Sequence, residues 1–230
     1  MAFENKKSKH IFNTSAQSAC DADVRIETPR LLLREFKSND AQKLHEIINA
    51  PGFSYYCFDG SLSSVERFLQ DAKDTKKPMP DGTRKEYMLA VVLKETGDLI
   101  GHVALQRVDH VKGFEFDANF FIDPAHQSKG YGRECLINIK NFGYDKLGHP
   151  GYTITVHPDN SPSLKVFLSE GYSIIGQTTI DTINGKEPRL LLFQDKAGFY
   201  ARRKLDKNPL LLNAKKISTA ANENKTGYKK

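Results

Sequence analysis

Apolar positions recur at two different spacings along the middle of the chain. Residues 24–36 are predicted to form a strand that is interrupted near Thr28-Pro29. Residues 38–50 follow with apolar positions three and four apart, which predicts an amphipathic helix. A second helix is predicted to begin at Ser63, because Ser63 and Glu66 have the spacing of a capping box.

Three extended runs follow, and the last of them alternates most clearly. Residues 86–93 are apolar on both faces, which is typical of a buried strand. Residues 99–108 form the next run after a turn. In residues 114–123 one face is apolar and the opposite face is polar. The apolar face holds Phe114, Phe116, Ala118, Phe120 and Ile122, and the polar face holds Glu115, Asp117 and Asn119. We expect these runs to form an antiparallel meander.

Helix and strand patterns alternate again after the meander. A helix is predicted up to about Lys146, and residues 152–156 are predicted to form a short strand. A further helix is predicted to begin with Ser161 as its cap and to stop at Gly171. The last two predicted strands are about 172–179 and 188–194. This order of elements predicts an α/β protein with a mixed sheet.

The sequence FIDPAHQSKGYGREC, residues 121–135, connects the meander to the following helix. It has neither the GxxxxGK[ST] pattern of a nucleoside-triphosphate loop nor the GxGxxG pattern of a dinucleotide fold. Gly130 and Gly132 let the backbone bend and remove side chains that would block a ligand. Backbone N–H groups, the helix N-terminus and Lys129 all favour an anion, most simply a pyrophosphate. An ordinary turn between a strand and a helix is the alternative.

The net charge of +6 comes from the end of the chain. Nine of the 34 basic and two of the 28 acidic side chains lie in residues 201–230, which leaves 25 basic and 26 acidic side chains in the first 200 residues. The tail is polar, has no sustained period and is predicted to be mostly disordered. Such a tail could contact RNA or an anionic membrane. The near-neutral remainder nevertheless disfavours nucleic acid as the partner that defines the function.

Cysteine usage and hydropathy limit the other classes of protein. The three cysteines, at positions 20, 57 and 135, have no CxxC spacing, which argues against a disulfide framework or a zinc site. No segment approaches the ~20 apolar residues that span a bilayer, and the N-terminus lacks the apolar centre of a signal peptide. We therefore expect a cytoplasmic protein without a metal or a membrane span. Its expected parts are a flexible extension over 1–23, one domain over 24–200 and a tail over 201–230.

Three segments together resemble the GNAT N-acetyltransferase superfamily. IDPAHQSKGYGRECL resembles its acetyl-CoA signature, Q/R-x-x-G-x-G/A. IETPRLLLREFKSNDAQKL resembles the opening of the Rim-type branch, which acetylates the N-termini of ribosomal proteins, and HPDNSPSLKVFLSEGY resembles the N-x-x-S segment of that branch. The resemblance runs from about Arg25 to Phe193. It implies a GNAT fold with a central, mostly antiparallel sheet flanked by helices, and transfer of acetyl from acetyl-CoA to a primary amine.

The resemblance also implies which residues contact acetyl-CoA. The backbone of Phe120, Phe121 and Ile122 would pair with the pantetheine arm much as a sheet edge pairs with a peptide. Asn160 would hydrogen-bond the same arm. A helix cap is the alternative for Asn160, although Ser161 is available for that task. The pyrophosphate would be held by the main-chain N–H groups of Gln127, Ser128, Lys129, Gly130, Tyr131 and Gly132.

For catalysis, the family needs a group near the leaving thiolate and a base near the amine. Many members carry a tyrosine at the position of Phe167, so the usual acid is absent here. Ser163 fits the Rim-type pattern and could donate a hydrogen bond to sulfur, or it could be an early-helix serine satisfied by backbone. Glu115 and Asp117 are the candidate bases, and Asp117 stands where relatives often carry Glu. The acidic pair could instead be solvated or attract the amine.

The connection APGFSYYCFDG, residues 50–60, is the candidate acceptor site. In the family it lies over the acceptor end of the cleft, although it could equally cover the core. Its aromatic residues are Phe53, Tyr55, Tyr56 and Phe58. The sequence leaves open a peptide N-terminus or a small-molecule amine as acceptor, and a monomer or a homodimer. A catalytically silent acetyl-CoA-binding module and a ribosome- or nucleic-acid-associated protein acting through the tail are the other classes of function.

Overall fold

The computed structural model describes residues 23–53, 57–80, 82–108, 116–182 and 185–206. Residues 1–22 of the predicted N-terminal extension and most of the predicted tail lie outside these residues. The chain divides into two compact units. Among the described residues, the first unit runs from 23 to 149 and includes 181–182 and 185–186, and the second comprises 150–180 and 187–206.

The first unit is built on five antiparallel strands in chain order. They are β1 (Arg25–Glu27), β2 (Leu31–Glu35), β3 (Glu86–Leu93), β4 (Leu99–Arg107) and β5 (Phe116–Ile122). Each strand pairs with the next in the sequence. The predicted interruption near Pro29 separates β1 from β2, because proline has no N–H to give to a ladder. The predicted antiparallel meander is therefore confirmed.

Two helices cover one face of these strands. They are α1 (Ala41–Ile48), which follows a 3-10 turn at Ser38–Asp40, and α2 (Leu62–Asp74). Both bury their apolar faces in a core that also contains Met88, Ala104 and Phe121. The predicted start of the second helix at Ser63 is wrong. Ser61 is the N-cap, because its side chain accepts the N–H of Ser64 at 3.1 Å.

The helix after the meander, α3 (Tyr131–Asp145), packs against β2, β4 and β5. Its buried residues include Cys135, Leu136 and Ile139, at helical spacing. Because Phe120 points to α3 while Phe121 belongs to the core under α1 and α2, the helices lie on opposite faces of β5. The predicted alternation along β5 is thus confirmed for its described residues.

The second unit contains three strands and two helices. Strand β8 (Gly185–Asp195) lies between β6 (Gly151–Val156), with which it pairs antiparallel, and β7 (Ser173–Thr182). The helices are α4 (Ser161–Ser169) and α5 (Lys196–Asp206). The sequence did not predict α5, which crosses the expected domain boundary at 201. The predicted α/β class, with a mostly antiparallel sheet and flanking helices, is confirmed.

Candidate active site

The turn after β5 is tied to the end of that strand by two side chains. The Asp123 carboxylate accepts the N–H of Ala125 at 3.0 Å, which opens a 3-10 turn at Pro124–His126. The Gln127 amide donates from Nε2 to the carbonyl of Ile122 at 2.9 Å. The side chain of Gln127 therefore has a structural task, while its backbone continues into the glycine-containing loop.

The loop then passes through two residues with left-handed backbone. Ser128 has φ 60° and Gly130, the residue that precedes α3, has φ 79°. Such a reversal turns successive N–H groups toward one side of the chain. The first N–H groups of α3 have no partner within the helix, and the positive end of the helix dipole lies at the same place. The residues present thus fit an anionic group such as a pyrophosphate.

Gly132 is required for a reason that the sequence did not show. A Cβ atom at this position would lie 2.6 Å from Cε2 of Phe120, so helix and strand approach each other closely there. The expectation was that Gly132 leaves room for a ligand, whereas the structure shows that it leaves room for the Phe120 ring. Lys129 is exposed, and its Nζ donates to the carbonyl of Ala125 at 3.1 Å.

An ion pair joins the beginning of β2 to the first turn of α3. Arg30 Nε lies 2.7 Å from Oε2 of Glu134, and the Arg30 N–H and the Thr28 hydroxyl donate to Oε1 at 2.9 and 2.6 Å. Partial burial opposes ionisation of Glu134, but these hydrogen bonds outweigh it and lower its pKa below the ordinary value. The Arg30 guanidinium also lies over the ring of Tyr131, 4.5 Å from its centroid.

A polar row crosses three strands on the face that α1 and α2 cover. The strand register pairs Glu86 with Gln106, and Gln106 with Asp117. Gln106 Nε2 donates to Oδ2 of Asp117 at 3.2 Å, and the N–H of Ala118 donates to Oδ1 at 2.8 Å. The Asp117 side chain is buried, with 7% of the residue exposed. The row thus places two carboxyl groups on one face, two strands apart, with Gln106 between them.

Both carboxyl groups in this row hold their protons more tightly than usual. Burial raises the pKa of Asp117 to about 7, against the hydrogen bonds from Gln106 and Ala118, and the charge of Glu86 adds to the rise. Burial also raises the pKa of Glu86 to about 7. A pKa close to neutral suits a residue that accepts and releases a proton at the pH of a cell.

His102 lies farther along the same face and is a core residue. Its Nδ1 is 3.2 Å from the carbonyl oxygen of Leu89, and its ring lies among those of Phe36, Phe68 and Phe121. Burial lowers the pKa of His102 to about 3, so its imidazole is neutral. His102 is therefore a structural residue. Its hydrogen bond with Asn119 extends the polar face toward Asp117.

A cavity of about 610 Å³ is lined by Glu86, Gln106, His102 and Asn119. The buried Asp117 is not one of its lining residues and is joined to them by its hydrogen bond with Gln106. The volume of the cavity is within the range of ~300–1,000 Å³ that is common for small-ligand sites. Three acidic residues contribute to its wall, and two of them, Asp71 and Asp74, belong to α2. The full set of lining residues is Cys57, Phe68, Asp71, Asp74, Thr75, Lys77, Lys85, Glu86, Met88, His102, Gln106 and Asn119.

The predicted acceptor residues are only partly described. Tyr55, Tyr56 and the candidate base Glu115 lie outside the described residues. Phe58 is buried and Phe53 is packed against the core, with ring centroids 5.9 and 5.3 Å from that of Phe121. These two phenylalanines therefore cover the core, which was the alternative to acceptor binding.

In the second unit, Asn160 is the N-cap of α4. Its carboxamide oxygen accepts the N–H of Ser163 at 3.1 Å, so the assignment of the cap to Ser161 is wrong. Ser163 is half-buried, and the described hydrogen bonds involve its N–H and not its hydroxyl. Phe167 is buried and makes an edge-to-face contact with Tyr172, with ring centroids 5.4 Å apart. The position of the missing tyrosine is therefore occupied by a core residue.

Sequence reasoning did not identify Glu86 or Gln106 as members of the site. Residues 86–93 are apolar on both faces, so their sequence does not show which face Glu86 shares. Only the register of β3, β4 and β5 aligns Glu86, Gln106 and Asp117. The available signal was a polar residue at the start of the first run, at the end of the second and at the start of the third, because antiparallel pairing brings these positions together.

Neither a membrane span nor a metal cluster is found in the described part of the chain. No helix there is both long and apolar enough to cross a bilayer. No group of three or more His, Cys, Asp or Glu side chains among the described residues could hold a metal ion.

Comparison with known proteins gives consistent matches. Residues 30–173 match the family model described as an acetyltransferase (GNAT) domain. The uncharacterised N-acetyltransferase YnaD of Bacillus subtilis is 27% identical over 149 residues, which are 64% of this chain and 82% of YnaD.

Two solved structures show the same fold. RimJ of Mycobacterium smegmatis, in complex with CoA-disulfide, superposes with a TM-score of 0.63 at 15% identity over 80% of this chain and 92% of RimJ. The ribosomal-protein-S5-alanine acetyltransferase of Vibrio fischeri gives a TM-score of 0.60 at 17% identity over 77% and 99% of the two chains.

Proposed function

The chain belongs to the GNAT acetyltransferase family, and from that membership we propose that it transfers acetyl from acetyl-CoA directly to a primary amine. One observation carries the proposal. A single strand, β5, presents a buried carboxyl group at Asp117 and leads into the glycine-containing turn. At ~3.3 Å per residue, Asp117 lies about 17 Å along the strand from Ile122. An extended donor molecule bound along β5 would thus have its anionic part at the turn and its reactive end near the base.

In this proposal the turn binds the diphosphate of acetyl-CoA. The main-chain N–H groups from Ser128 to Gly132 supply the donors, and the reversal at Ser128 and Gly130 directs them. The N–H of Gln127, the first residue of the motif, already donates to the carbonyl of Pro124 at 3.3 Å. The backbone of Phe120, Phe121 and Ile122 pairs with the pantetheine arm, as the family resemblance implies. The Nδ2 group of Asn160 donates to the same arm, because its oxygen already caps α4.

Asp117 is the proposed general base. It takes a proton from the ammonium form of the acceptor, directly or through one water, so that the nitrogen lone pair can attack the thioester carbon. The C–N bond forms as the C–S bond breaks, the electron pair leaves with sulfur, and the second proton that the nitrogen loses passes to the thiolate, directly or through water, to give the free thiol. Glu115 remains a predicted second base. Glu86 is a further candidate base, because it lies in the same polar row.

The leaving thiolate is proposed to receive a hydrogen bond from Ser163. The serine hydroxyl would take the place of the tyrosine that Phe167 replaces, and its N–H is already satisfied by Asn160. A backbone N–H of β5 would stabilise the oxygen of the thioester as it becomes negative. Holding the two reactants in this geometry supplies most of the rate enhancement.

The acceptor is proposed to be the α-amine of a peptide or protein. The support is the likeness to RimJ and to the ribosomal-protein-S5-alanine acetyltransferase. The cavity wall adds three acidic against two basic side chains, and Asp74 is paired with Lys77, which leaves Asp71 and Glu86 to favour a cationic amine. A small-molecule amine is the second candidate, because the cavity has the volume of a small-ligand site.

Release of free CoA thiol tests the proposal. Wild-type protein would be incubated with acetyl-CoA and two pools, one of peptides that differ in their first two residues and one of small primary amines. We expect release with the peptide pool and acetylation at the N-terminal nitrogen, located by mass spectrometry. Acetyl-CoA binding without release in either pool would instead support a silent binding module. Absence of acetyl-CoA binding would refute the proposal.

A further inference from the structure

We propose that Arg30, at the start of β2, is a positioning residue that holds the diphosphate-binding turn in its binding conformation by acting through Glu134. This inference rests on the proposed function, because it assigns a role toward acetyl-CoA. Arg30 is 99 positions away from Lys129 and 104 from Glu134 in the sequence, yet it contacts both. No motif that predicted the turn included it.

The contacts of Arg30 surround the turn on its helix side. Nε pairs with Oε2 of Glu134 at 2.7 Å, and Nη1 donates to the carbonyl of Lys129 at 2.9 Å. The third nitrogen, Nη2, lies close enough to Gly130 that a Cβ there would be 3.4 Å from it. The guanidinium plane covers Tyr131. One side chain therefore touches three consecutive residues of the turn and the first turn of α3.

The turn needs an external support because its own backbone is strained. Ser128 and Gly130 both have positive φ, and Ser128 carries a Cβ in that region. A flexible turn would have to be ordered when the diphosphate binds, which would reduce affinity. The hydrogen bond from Arg30 to the Lys129 carbonyl fixes the peptide between Lys129 and Gly130, so the N–H groups are already directed when the ligand arrives.

The charge of Glu134 favours the start of α3 but opposes a bound diphosphate, and this explains why the carboxylate is held so closely. A carboxylate in the first turn of α3 stabilises the helix but repels a diphosphate at the same end. Thr28, the Arg30 N–H and Arg30 Nε together turn its oxygens toward β2 and pair its charge. The ion pair is thus a link between β2 and α3 and not an anion-binding element. Arginine suits this place better than lysine, because one planar group can donate in several fixed directions.

Two acetyl donors distinguish this role from a general effect on stability. Acetyl-CoA has the diphosphate, whereas S-acetylpantetheine ends before it. For Arg30→Ala we expect the KM for acetyl-CoA to rise about tenfold with little change in kcat, since one set of charge-assisted hydrogen bonds is lost. The kcat/KM for S-acetylpantetheine should stay within about twofold of the wild-type value, because this donor does not use the turn.

Glu134→Ala separates positioning from charge. If Glu134 is the partner through which Arg30 holds the turn, Glu134→Ala raises the KM for acetyl-CoA as Arg30→Ala does. The KM of the double variant is then no higher than that of the single variant with the higher KM. If the carboxylate merely repels the diphosphate, Glu134→Ala lowers that KM, and the positioning role is overturned. Arg30→Lys should recover only part of the lost affinity.

Arg25→Ala is the matched control, because Arg25 forms an exposed pair with Glu27 on β1 and does not touch the turn. Arg25→Ala should leave the KM and kcat for both donors at their wild-type values. Equal losses with both donors for Arg30→Ala would show a structural role alone and would overturn the inference. Wild-type protein that uses neither donor would refute the proposed function itself, which is a different outcome.

Discussion

At the scale of single residues, Asp117 has the most consequential environment in the described chain. Its carboxyl group is buried on β5, accepts hydrogen bonds from Gln106 and Ala118, and has a pKa of about 7. The wild-type protein should therefore show a rise in kcat/KM as the pH increases through about 7, because only the ionised form accepts a proton.

Replacement of Asp117 by Asn should lower kcat/KM by about 10²–10⁴-fold and remove this rise, leaving only the ionisation of the acceptor itself. Glu86→Gln is the informative comparison. Removing its charge should lower the pKa of Asp117 and move the rise to lower pH without abolishing it. A pH–rate profile of all three proteins checks this. If Glu86→Gln abolishes the rise and Asp117→Asn keeps it, Glu86 is the base.

The raised pKa of Asp117 also makes the stability of the protein depend on pH. The folded-state pKa of Asp117 lies above its ordinary value of 3.8, so the folded protein binds the proton more tightly than the unfolded chain. Its contribution to the free energy of unfolding is therefore fully present below about pH 4 and is lost as the pH rises to about 7. Asp117→Asn should flatten this dependence, which urea unfolding at several pH values would show.

Gly132 gives a second prediction at the residue scale. Gly132→Ala should gain up to about 1 kcal/mol of helix propensity but lose about 1–3 kcal/mol to the clash with Phe120, for a net loss of stability. Phe120→Leu in the same chain should recover part of it. Gly176→Ala is the control, because a Cβ there has no atom within 4 Å. Thermal unfolding measures all four proteins, and an unchanged Gly132→Ala would contradict the close packing.

At the scale of elements, helix starts were the feature that the sequence predicted least well. Both α2 and α4 have several candidate caps close together, and the sequence does not show which side chain will reach an N–H group of the first helical turn. The structure selects Ser61 for α2 and Asn160 for α4. In each case a polar residue that precedes the predicted cap is the one whose side chain meets the first turn.

The N-cap of α4 can be separated from its predicted ligand role. Asn160→Ala should lower the free energy of unfolding by about 1 kcal/mol, and Ser161→Ala by less than about 0.5 kcal/mol. Asn160→Ser keeps a capping oxygen but loses the amide donor. If Nδ2 also binds the pantetheine arm, Asn160→Ser should retain stability and show a higher KM for acetyl-CoA. Normal kinetics in this variant would limit Asn160 to capping.

At the scale of the whole molecule, the end of the folded part is later than the composition suggests. Helix α5 carries Phe199, which is fully buried, and Arg202, whose Nε donates to the carbonyl of Ser169 at 2.8 Å. Arg203 pairs with the buried Glu170. These basic residues contribute to folding, although the sequence predicted them as the beginning of a disordered tail.

Two truncations test this boundary. Removal of residues 207–230 should leave the melting temperature and turnover unchanged, whereas removal of residues 196–230 should cost at least about 3–5 kcal/mol, the usual effect of losing one buried phenylalanine. Calorimetry and CoA release measure the two effects. If the shorter deletion alone abolishes turnover, the tail takes part in the function, as the ribosome- or nucleic-acid-associated alternative requires.

The sequence by itself determined the class of the protein. Period-two and period-3.6 patterns are local, so β3, β4, β5 and α3 were predicted within a few residues of their observed limits. The QxxGxG turn and the flanking segments were sufficient to indicate the GNAT family, which the family match confirms. Asp117 could be proposed from its place on the polar face of one alternating strand.

Only the tertiary structure decided which distant residues meet. The polar row of Glu86, Gln106 and Asp117 depends on strand register, and register is fixed by turns and core packing and not by the residues of the row. The contact of Arg30 with Glu134 depends on how α3 packs across β2. The core position of Phe58 and the burial of Phe199 likewise follow from neighbours far away in the chain. Local patterns encode elements, whereas side-chain environments arise from packing between them.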